Sequence, residues 1–172
     1  QLLSIVENTP EELVLGQKML MMPDLVLFEL TGNIGTEYTI ASTTGLYDVF
    51  NEDWDRSLAK DLGIPTHILG KVEPAGTQRG YLKDELIAET QINKLMCIAS
   101  ASHDTASAVV ATPFEEEGSA FISSGTWSLL GIELKKFIAN DLTLSHRLTN
   151  EGGYEGDRKS TRLNSSHANI SY

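Results

Sequence analysis

Short amphipathic segments separated by turn residues fill the first part of the chain. Apolar residues recur with helical spacing in residues 1–7, which predicts the end of a helix. Another helix is predicted from Thr9, because Thr9 can act as the N-cap, Pro10 suits the first turn and Glu12 can complete a capping box. A further apolar stripe covers residues 25–30, and Gly32 is expected to end that helix as its C-cap.

The pattern then changes to short helices and strands in alternation. Further helices are predicted at residues 54–62, 83–89 and 106–111. Strands are predicted at residues 78–82, 95–99, 120–122 and 127–134, and the apolar run at 95–99 is typical of a buried strand. This mixture indicates an α/β fold. A change in composition indicates a domain boundary between residues 92 and 93.

Charge and cysteine content narrow the classes of function. The chain of 172 residues carries 24 acidic and 13 basic residues, a formal net charge of −11. We therefore expect no nucleic acid and no anionic membrane among its partners. Cys97 is the single cysteine, so it forms no internal disulfide and supplies no structural zinc site by itself, which fits a reducing compartment. No apolar run approaches the ~20 residues of a membrane span.

The two ends of the sequence are unusual. The chain starts without Met inside a helical pattern, so we expect a truncated sequence. Residues 157–172 are polar and aperiodic, which a disordered tail would explain. Residues 157–167 are, however, the translation, without a mismatch, of a common short-read sequencing adaptor. We therefore interpret residues 157–172 as adaptor sequence rather than native protein and exclude them from the fold.

A first polar cluster, Ser102-His103-Asp104-Thr105, lies between a predicted strand and a predicted helix. Ligands of open α/β sheets bind beyond the carboxyl ends of strands, which makes this cluster a candidate site. Asp104 could equally be a helix N-cap, and His103 an ordinary surface or packed histidine. A Ser-His-Asp hydrolase is excluded, because three adjacent residues cannot align a nucleophile, a base and an orienting group.

A second polar cluster, Ser123-Ser124-Gly125-Thr126, lies between two predicted strands. Gly and Ser suit a hairpin turn. Their backbone amides and hydroxyls could instead form a nest that binds phosphate. The cluster is not a Walker A loop, because no Gly-Lys-[Ser/Thr] follows it. The spacing alone leaves both interpretations open.

Six segments, taken in chain order, carry a family resemblance: Leu20–Leu25, Glu37–Thr44, Pro74–Thr77, Ala101–Ala108, Ile122–Gly131 and Asn150–Tyr154. Together they resemble the FGGY carbohydrate kinase family, and within it the rhamnulokinases. The resemblance extends from residue 1 to about residue 154. Gly45 departs from it where Gln is expected, and Glu155 departs where Gly is expected.

The resemblance implies an actin-like, ribonuclease-H-like fold, in which two α/β domains close on a sugar and ATP. Residues 1–92 would be the C-terminal part of the first domain, and residues 93–156 would start the second. The chain would then be an internal fragment. The first phosphate-binding hairpin and the adenosine site of the family would lie outside it.

The same resemblance assigns roles to the two clusters. The aspartate that matches Asp104 is the catalytic base, and it contacts the sugar together with the residues that match His103 and Thr105. The threonine that matches Thr126 contacts the nucleotide phosphate, and Gly125 would let the backbone approach that phosphate. Mg²⁺ would bridge the phosphates with waters in its shell, and no residue is assigned as a metal ligand.

The implied activity is ATP-dependent phosphorylation of a ketose in the cytoplasm, with L-rhamnulose as substrate and rhamnose catabolism as the process. An L-fuculose kinase is the near alternative, although the continuation Thr105-Ala106-Ser107-Ala108 favours rhamnulose. A non-catalytic sugar- or nucleotide-binding relative is a second alternative, against which Asp104 argues. The third is an α/β fragment in which the two clusters are only a cap and a turn.

Overall fold

A computed structural model of the chain describes residues 1–114, 118–125, 128–134, 136–154 and 159–164. The chain divides into two compact units, Gln1–Ser102 and His103–Tyr172. Helices and strands alternate in both units, so the predicted α/β class is confirmed.

Short helices dominate the first unit. They are α1 (Leu2–Asn8), α2 (Pro10–Leu15), α3 (Met22–Thr31), α4 (Tyr38–Ala41), α5 (Arg56–Asp61) and α6 (Asp84–Thr90). Single 3-10 turns cover Ser42–Thr44 and Thr66–Ile68.

The strands of the first unit pair two by two. Strand β1 (Thr36–Glu37) runs parallel to β4 (Val72–Glu73). Strand β2 (Tyr47–Asp48) is antiparallel to β3 (Asp53–Trp54), and β5 (Gln78–Tyr81) is antiparallel to β6 (Met96–Ile98).

The core of the first unit forms around Trp54. Its indole N–H donates to the carbonyl of Gly70 at 2.7 Å, so the largest side chain of the core is buried with its polar atom paired. The ring of Tyr47 packs edge-on against both Tyr38 and Trp54, with centroid distances of 5.3 and 6.2 Å. The other buried members of this core are Leu13, Ala41, Leu46, Ala59, Ile64, Ile68 and Leu69.

Helix ends follow the sequence signals in one case and depart from them in another. Gly32 ends α3 with φ +78°, and its amide donates to the carbonyl of Phe28 at 2.6 Å, so the predicted C-cap is confirmed. Thr9 does precede α2, and Pro10 is its first residue, but the side chain of Thr9 makes no capping hydrogen bond. The predicted capping box with Glu12 is wrong, because the amide of Glu12 donates to the main-chain carbonyl of Thr9 at 3.0 Å.

The second unit packs short helices with an antiparallel sheet. Its elements are α7 (Asp104–Val110), β7 (Ala120–Ser124), β8 (Ser128–Leu134), α8 (Asp141–Ser145), β9 (Leu148–Gly152) and β10 (Lys159–Asn164). The strand order is β7-β8-β10-β9. Helix α7 contacts β7, and a capping box between Asn140 and Thr143 starts α8.

Strand β10 falls inside the segment that we interpret as adaptor sequence. It pairs with both β8 and β9, so that Lys159 lies opposite Leu134 on one side and opposite Gly152 on the other. These pairings are made by the main chain. The interpretation of residues 157–172 therefore stays a prediction, and a genomic sequence of the region tests it.

The predicted strand at residues 95–99 forms, but it is not fully buried. Ile98 of β6 is 53% exposed, because β6 pairs with β5 in a two-stranded ladder that leaves one face open. The same pairing ties β6 to the first unit. The compact units consequently divide after Ser102, ten residues beyond the composition change at residues 92 and 93.

Among the residues that the structure describes, no helix has the length and apolar character needed to cross a membrane.

Candidate active site

The first candidate cluster lies where α7 begins. His103 occupies the N-cap position with extended backbone, and its side chain makes no capping hydrogen bond. Asp104 is the first helical residue, and its Oδ1 accepts from the amide of Thr105, the next residue, at 2.7 Å. An N-cap side chain accepts instead from an amide two or three residues ahead. The N-cap interpretation of Asp104 is therefore wrong, and its carboxylate is available for another role.

The imidazole of His103 lies between two carboxylates. Its Nε2 is 3.4 Å from Oδ1 of Asp104, and its Nδ1 is 3.3 Å from Oε2 of Glu151 in β9. The second contact is at ion-pair distance without the alignment of a full hydrogen bond. Strand β9 thus brings a residue from far along the chain to the start of α7.

These three side chains differ sharply in exposure. The side chain of Asp104 is 94% exposed, whereas those of His103 and Glu151 are 14% and 12% exposed. A solvated carboxylate beside a largely buried imidazole has room to receive a substrate hydroxyl. The geometry can therefore support hydrogen bonding and proton acceptance at Asp104.

Thr105 completes the cluster from the buried side. It is 6% exposed, and its amide and hydroxyl lie 2.7 and 3.4 Å from Oδ1 of Asp104. These contacts hold one oxygen of the carboxylate in place. Its role as a sugar contact stays a prediction.

The second candidate cluster is only partly described. Gly125 follows β7 and is exposed, and no described atom lies within 4 Å of the place where a Cβ would be. That open space leaves room for a ligand to approach the main chain. Thr126 lies outside the described residues, so its predicted contact with phosphate stays a prediction.

A buried carboxylate secures the end of the first unit. Glu37 is fully buried, and its two oxygens accept from the amides of Thr39 and Ile40 at 2.9 and 3.2 Å and from the Thr39 hydroxyl. Its Oε2 also accepts from the amide of Ser102 at 3.0 Å. Ser102 is the residue directly before His103. Glu37 thus anchors the last residue of the first unit.

A buried ion pair between Asp24 and Arg79 contacts the main chain of Glu37. The carboxylate of Asp24 accepts from the amide of Glu37 at 3.1 Å and lies 3.1 Å from the guanidinium of Arg79. Burial raises the pKa of Asp24, even though Arg79 acts in the opposite direction. Arg79 also lies 3.1 Å from Glu73, which gives the buried cation two acidic neighbours.

Side chains that commonly ligate metal ions are not grouped in the described ranges. Within the described part of the chain, no group of three or more His, Cys, Asp or Glu side chains could hold a metal ion.

Glu37 and Glu151 are two buried acidic residues to which the sequence analysis assigns no individual role. Both lie in segments that carry the family resemblance, yet each acts through a contact distant in sequence. The available signal is an acidic residue beside a stretch that contains no other acidic residue. That stretch is 38–47 after Glu37 and 142–150 before Glu151. That signal indicates a buried carboxylate but not its partner.

A family comparison covers most of the chain. Residues 1–111 match the model of the FGGY family of carbohydrate kinases, N-terminal domain. The match continues past the composition change near residue 92 and includes the whole of His103-Asp104-Thr105.

Individual relatives of the chain are also carbohydrate kinases. The chain is 40% identical over 156 residues to a rhamnulokinase of Klebsiella pneumoniae subsp. pneumoniae, and the alignment covers 91% of this chain and 31% of the relative. A rhamnulokinase of Enterobacter is 38% identical with the same coverage. The chain therefore spans about a third of the length of these curated relatives.

Solved structures share the fold. The xylulose kinase of Rhodospirillum rubrum superimposes with a TM-score of 0.77 at 18% identity, over 94% of this chain and 32% of that one. The glycerol kinase of Plasmodium falciparum, solved with ADP, gives a TM-score of 0.73 at 22% identity, over 93% and 32%. The predicted actin-like sugar kinase fold is thereby confirmed.

Proposed function

The chain belongs to the FGGY family of carbohydrate kinases, and on that premise we propose that it is an internal segment of an ATP-dependent kinase that converts L-rhamnulose to L-rhamnulose 1-phosphate. The observation that carries the proposal is the exposed carboxylate of Asp104 beside the enclosed imidazole of His103. The rhamnulokinase relatives support the choice of sugar.

In the proposed reaction, the C1 hydroxyl oxygen of the ketose attacks the γ-phosphorus of ATP. A new P–O bond forms to the sugar, and the bond between the γ-phosphorus and the β,γ-bridging oxygen breaks, so ADP leaves. Such transition states are loose, and positioning and charge neutralisation account for most of the catalysis. Asp104 orients the hydroxyl and accepts its proton late in the transfer.

The remaining residues have supporting parts in this proposal. His103 hydrogen-bonds a sugar hydroxyl, and Thr105 holds the carboxylate of Asp104 through its amide. Thr126 and the main chain at Gly125 contact a nucleotide phosphate. Mg²⁺ supplies charge neutralisation at the phosphates. Because ATP and the phosphorylated sugar are intracellular metabolites, the proposal includes a cytoplasmic location.

The decisive experiment replaces Asp104 by Asn in the complete parent enzyme. Asn keeps the shape and an acceptor oxygen but cannot take up the proton. We expect kcat to fall roughly 10²–10⁴-fold, the usual contribution of a general base, with melting temperature and sugar binding close to those of the parent. The control is Asp141→Asn, which removes an exposed charge at α8 of the same unit. A folded Asp104→Asn enzyme with kcat within a few-fold of the parent would refute the catalytic role.

The alternatives are tested with the same protein. An L-fuculose kinase would show a higher kcat/KM for L-fuculose than for L-rhamnulose in an ADP-release assay. A non-catalytic relative would bind sugar or nucleotide and release no ADP with either ketose. The continuation Thr105-Ala106-Ser107-Ala108 favours L-rhamnulose, and the presence of Asp104 favours an active enzyme.

A further inference from the structure

Helix α3 carries its polar and apolar residues on the opposite sides from those of an ordinary surface helix. Of its ten residues Asp24 alone is buried, and its carboxylate lies 3.1 Å from the guanidinium of Arg79. On the exposed side, Met22, Leu25 and Val26 are 68%, 37% and 52% exposed. Their spacing of three and four residues places them next to one another on the helix. We call these three residues the apolar stripe.

An apolar stripe of this kind is not expected to face water. Single exposed apolar side chains are common on protein surfaces, but a surface helix normally has polar residues on the side opposite the core. The other side of α3 is apolar as well, with Leu27, Phe28 and Leu30 half-buried. A helix with apolar residues on all sides is typical of a buried position. Helix α3 therefore has the composition of a helix that packs between two layers, and the described core supplies one of them.

The complete parent chain has enough length to supply the second layer. The match covers only 31% of the rhamnulokinase relative, so about two thirds of that chain lies outside it. Helix α3 falls within residues 1–111, which match the N-terminal domain of the family. Because that match ends at residue 111, inside the chain, a further part of the same domain would precede residue 1.

From these observations we propose that the apolar stripe of α3 packs, in the complete parent enzyme, against the part of the N-terminal domain that precedes residue 1. Removal of the three side chains from water favours the contact. The Asp24–Arg79 ion pair holds the opposite side of α3 on the described core. The inference rests on the proposed function, because it requires the chain to be an internal segment of such an enzyme.

Photo-methionine, a diazirine analogue of methionine, identifies the neighbours of Met22 in the complete parent enzyme without a substitution. The cross-linked peptides are mapped by mass spectrometry after irradiation, and Met22→Leu shows which products come from position 22. We expect cross-links within one chain to peptides that precede residue 1. Products from position 22 that reach only residues 1–172, later parts of the parent, a second copy or water would overturn the inference.

Val26→Lys tests the energetic consequence in the same enzyme. On an exposed face, a Lys at position 26 would be tolerated beside Glu29, whereas in a covered apolar contact its charge would be buried without a partner. We expect the melting temperature to fall by roughly 5 °C or more. The matched control is Ala88→Lys, which places the same side chain at an exposed position of α6 and should leave the melting temperature unchanged. Equal melting temperatures for the two variants would overturn the inference, and the cross-linking experiment does not depend on the folding of either.

The outcomes separate this inference from the proposed function. A parent enzyme that phosphorylates no ketose would overturn the proposed function, and the cross-links from position 22 would still identify what covers α3. An active ketose kinase in which position 22 reaches no preceding segment would overturn the inference and leave the proposed function standing.

Discussion

At the scale of single residues, burial controls the ionisation of Tyr38. The side chain is enclosed beneath Tyr47, and loss of hydration raises the pKa of Tyr38 to about 12, with smaller contributions from the charges of Glu52 and Glu37. The pKa of Tyr47 is raised as well, mainly by burial and then by Tyr38. The neutral phenol is thus the form that the folded unit accommodates.

This shift predicts an alkaline loss of stability. A pKa that is higher in the folded state than in the unfolded one stabilises the fold fully below the unfolded pKa of about 10, and the contribution is lost as pH rises towards 12. We expect Tyr38→Phe to remove this component, so that the free energy of unfolding declines less over that window, by on the order of 1–2 kcal/mol.

The measurement is denaturant unfolding of the parent and of Tyr38→Phe at several pH values. Comparison at neutral pH, where the phenol is protonated in both states, isolates the packing effect of the lost hydroxyl. Parallel stability profiles from neutral pH to pH 12 would contradict the assignment of the shift to Tyr38.

Side-chain contacts at the candidate site follow from the sequence only where the two residues are neighbours in the chain. Asp104 and Thr105 are adjacent, and their contact follows from adjacency at the start of a helix. Glu151 approaches His103 from β9, a strand much further along the chain. Pairing partners of strands are set by contacts distant in sequence, so no local pattern could have connected the two residues.

At the scale of elements, Glu37 joins three parts of the first unit. It ends β1, caps α4 through two amides, and accepts from the amide of Ser102. The carboxylate of Glu37 is buried, and every donor that the structure describes for it is an N–H or O–H group. A carboxylate offers acceptors on both oxygens, which suits this arrangement.

Glu37→Gln should therefore be costly although it changes one atom. The amide NH₂ group would face an N–H or O–H donor, leaving buried polar groups unpaired. We expect the free energy of unfolding to fall by about 2–4 kcal/mol. Asp55→Asn is the matched control, because Asp55 caps α5 by accepting from the amide of Leu58 at 2.8 Å and Asn caps equally well. The two variants are compared by denaturant unfolding, and equal stabilities would contradict the role of Glu37.

Elements with strong local signals were predicted well, and weak ones were not. Gly32 and Gly63 have positive φ values that glycine adopts readily, and the predicted helices before both are present. The sequence analysis predicts no element at residues 37–48. There a two-residue strand, a four-residue helix and a 3-10 turn follow one another. The strand pairs with β4, and the helix is capped by the side chain of Glu37, so neither leaves a periodic pattern in the sequence.

At the scale of the whole molecule, the chain matches only part of the length of its relatives, and this bears on what it can do alone. It spans 31% of the rhamnulokinases that it matches. Catalysis in this family is proposed to need a phosphate-binding hairpin and an adenosine site in addition to the residues around Asp104. Partial domains also bury less surface against the loss of chain entropy.

We accordingly expect the purified 172-residue chain to have no kinase activity. The assay measures ADP release with L-rhamnulose and ATP, and the complete parent enzyme serves as the positive control. Phosphorylation of any ketose by the 172-residue chain above the background without protein would contradict this expectation.

The central position of β10 has a consequence for handling the protein. Because β10 separates β8 from β9, a chain that ended before residue 159 would turn one side of each of these strands into a free edge. Free edges carry unpaired N–H and C=O groups that readily recruit strands of other molecules. Shortened versions are then expected to self-associate and enter inclusion bodies unless another segment occupies that position. We therefore expect solubility during expression to depend on whether an extended segment follows residue 156. The identity of the side chains in that segment should matter less.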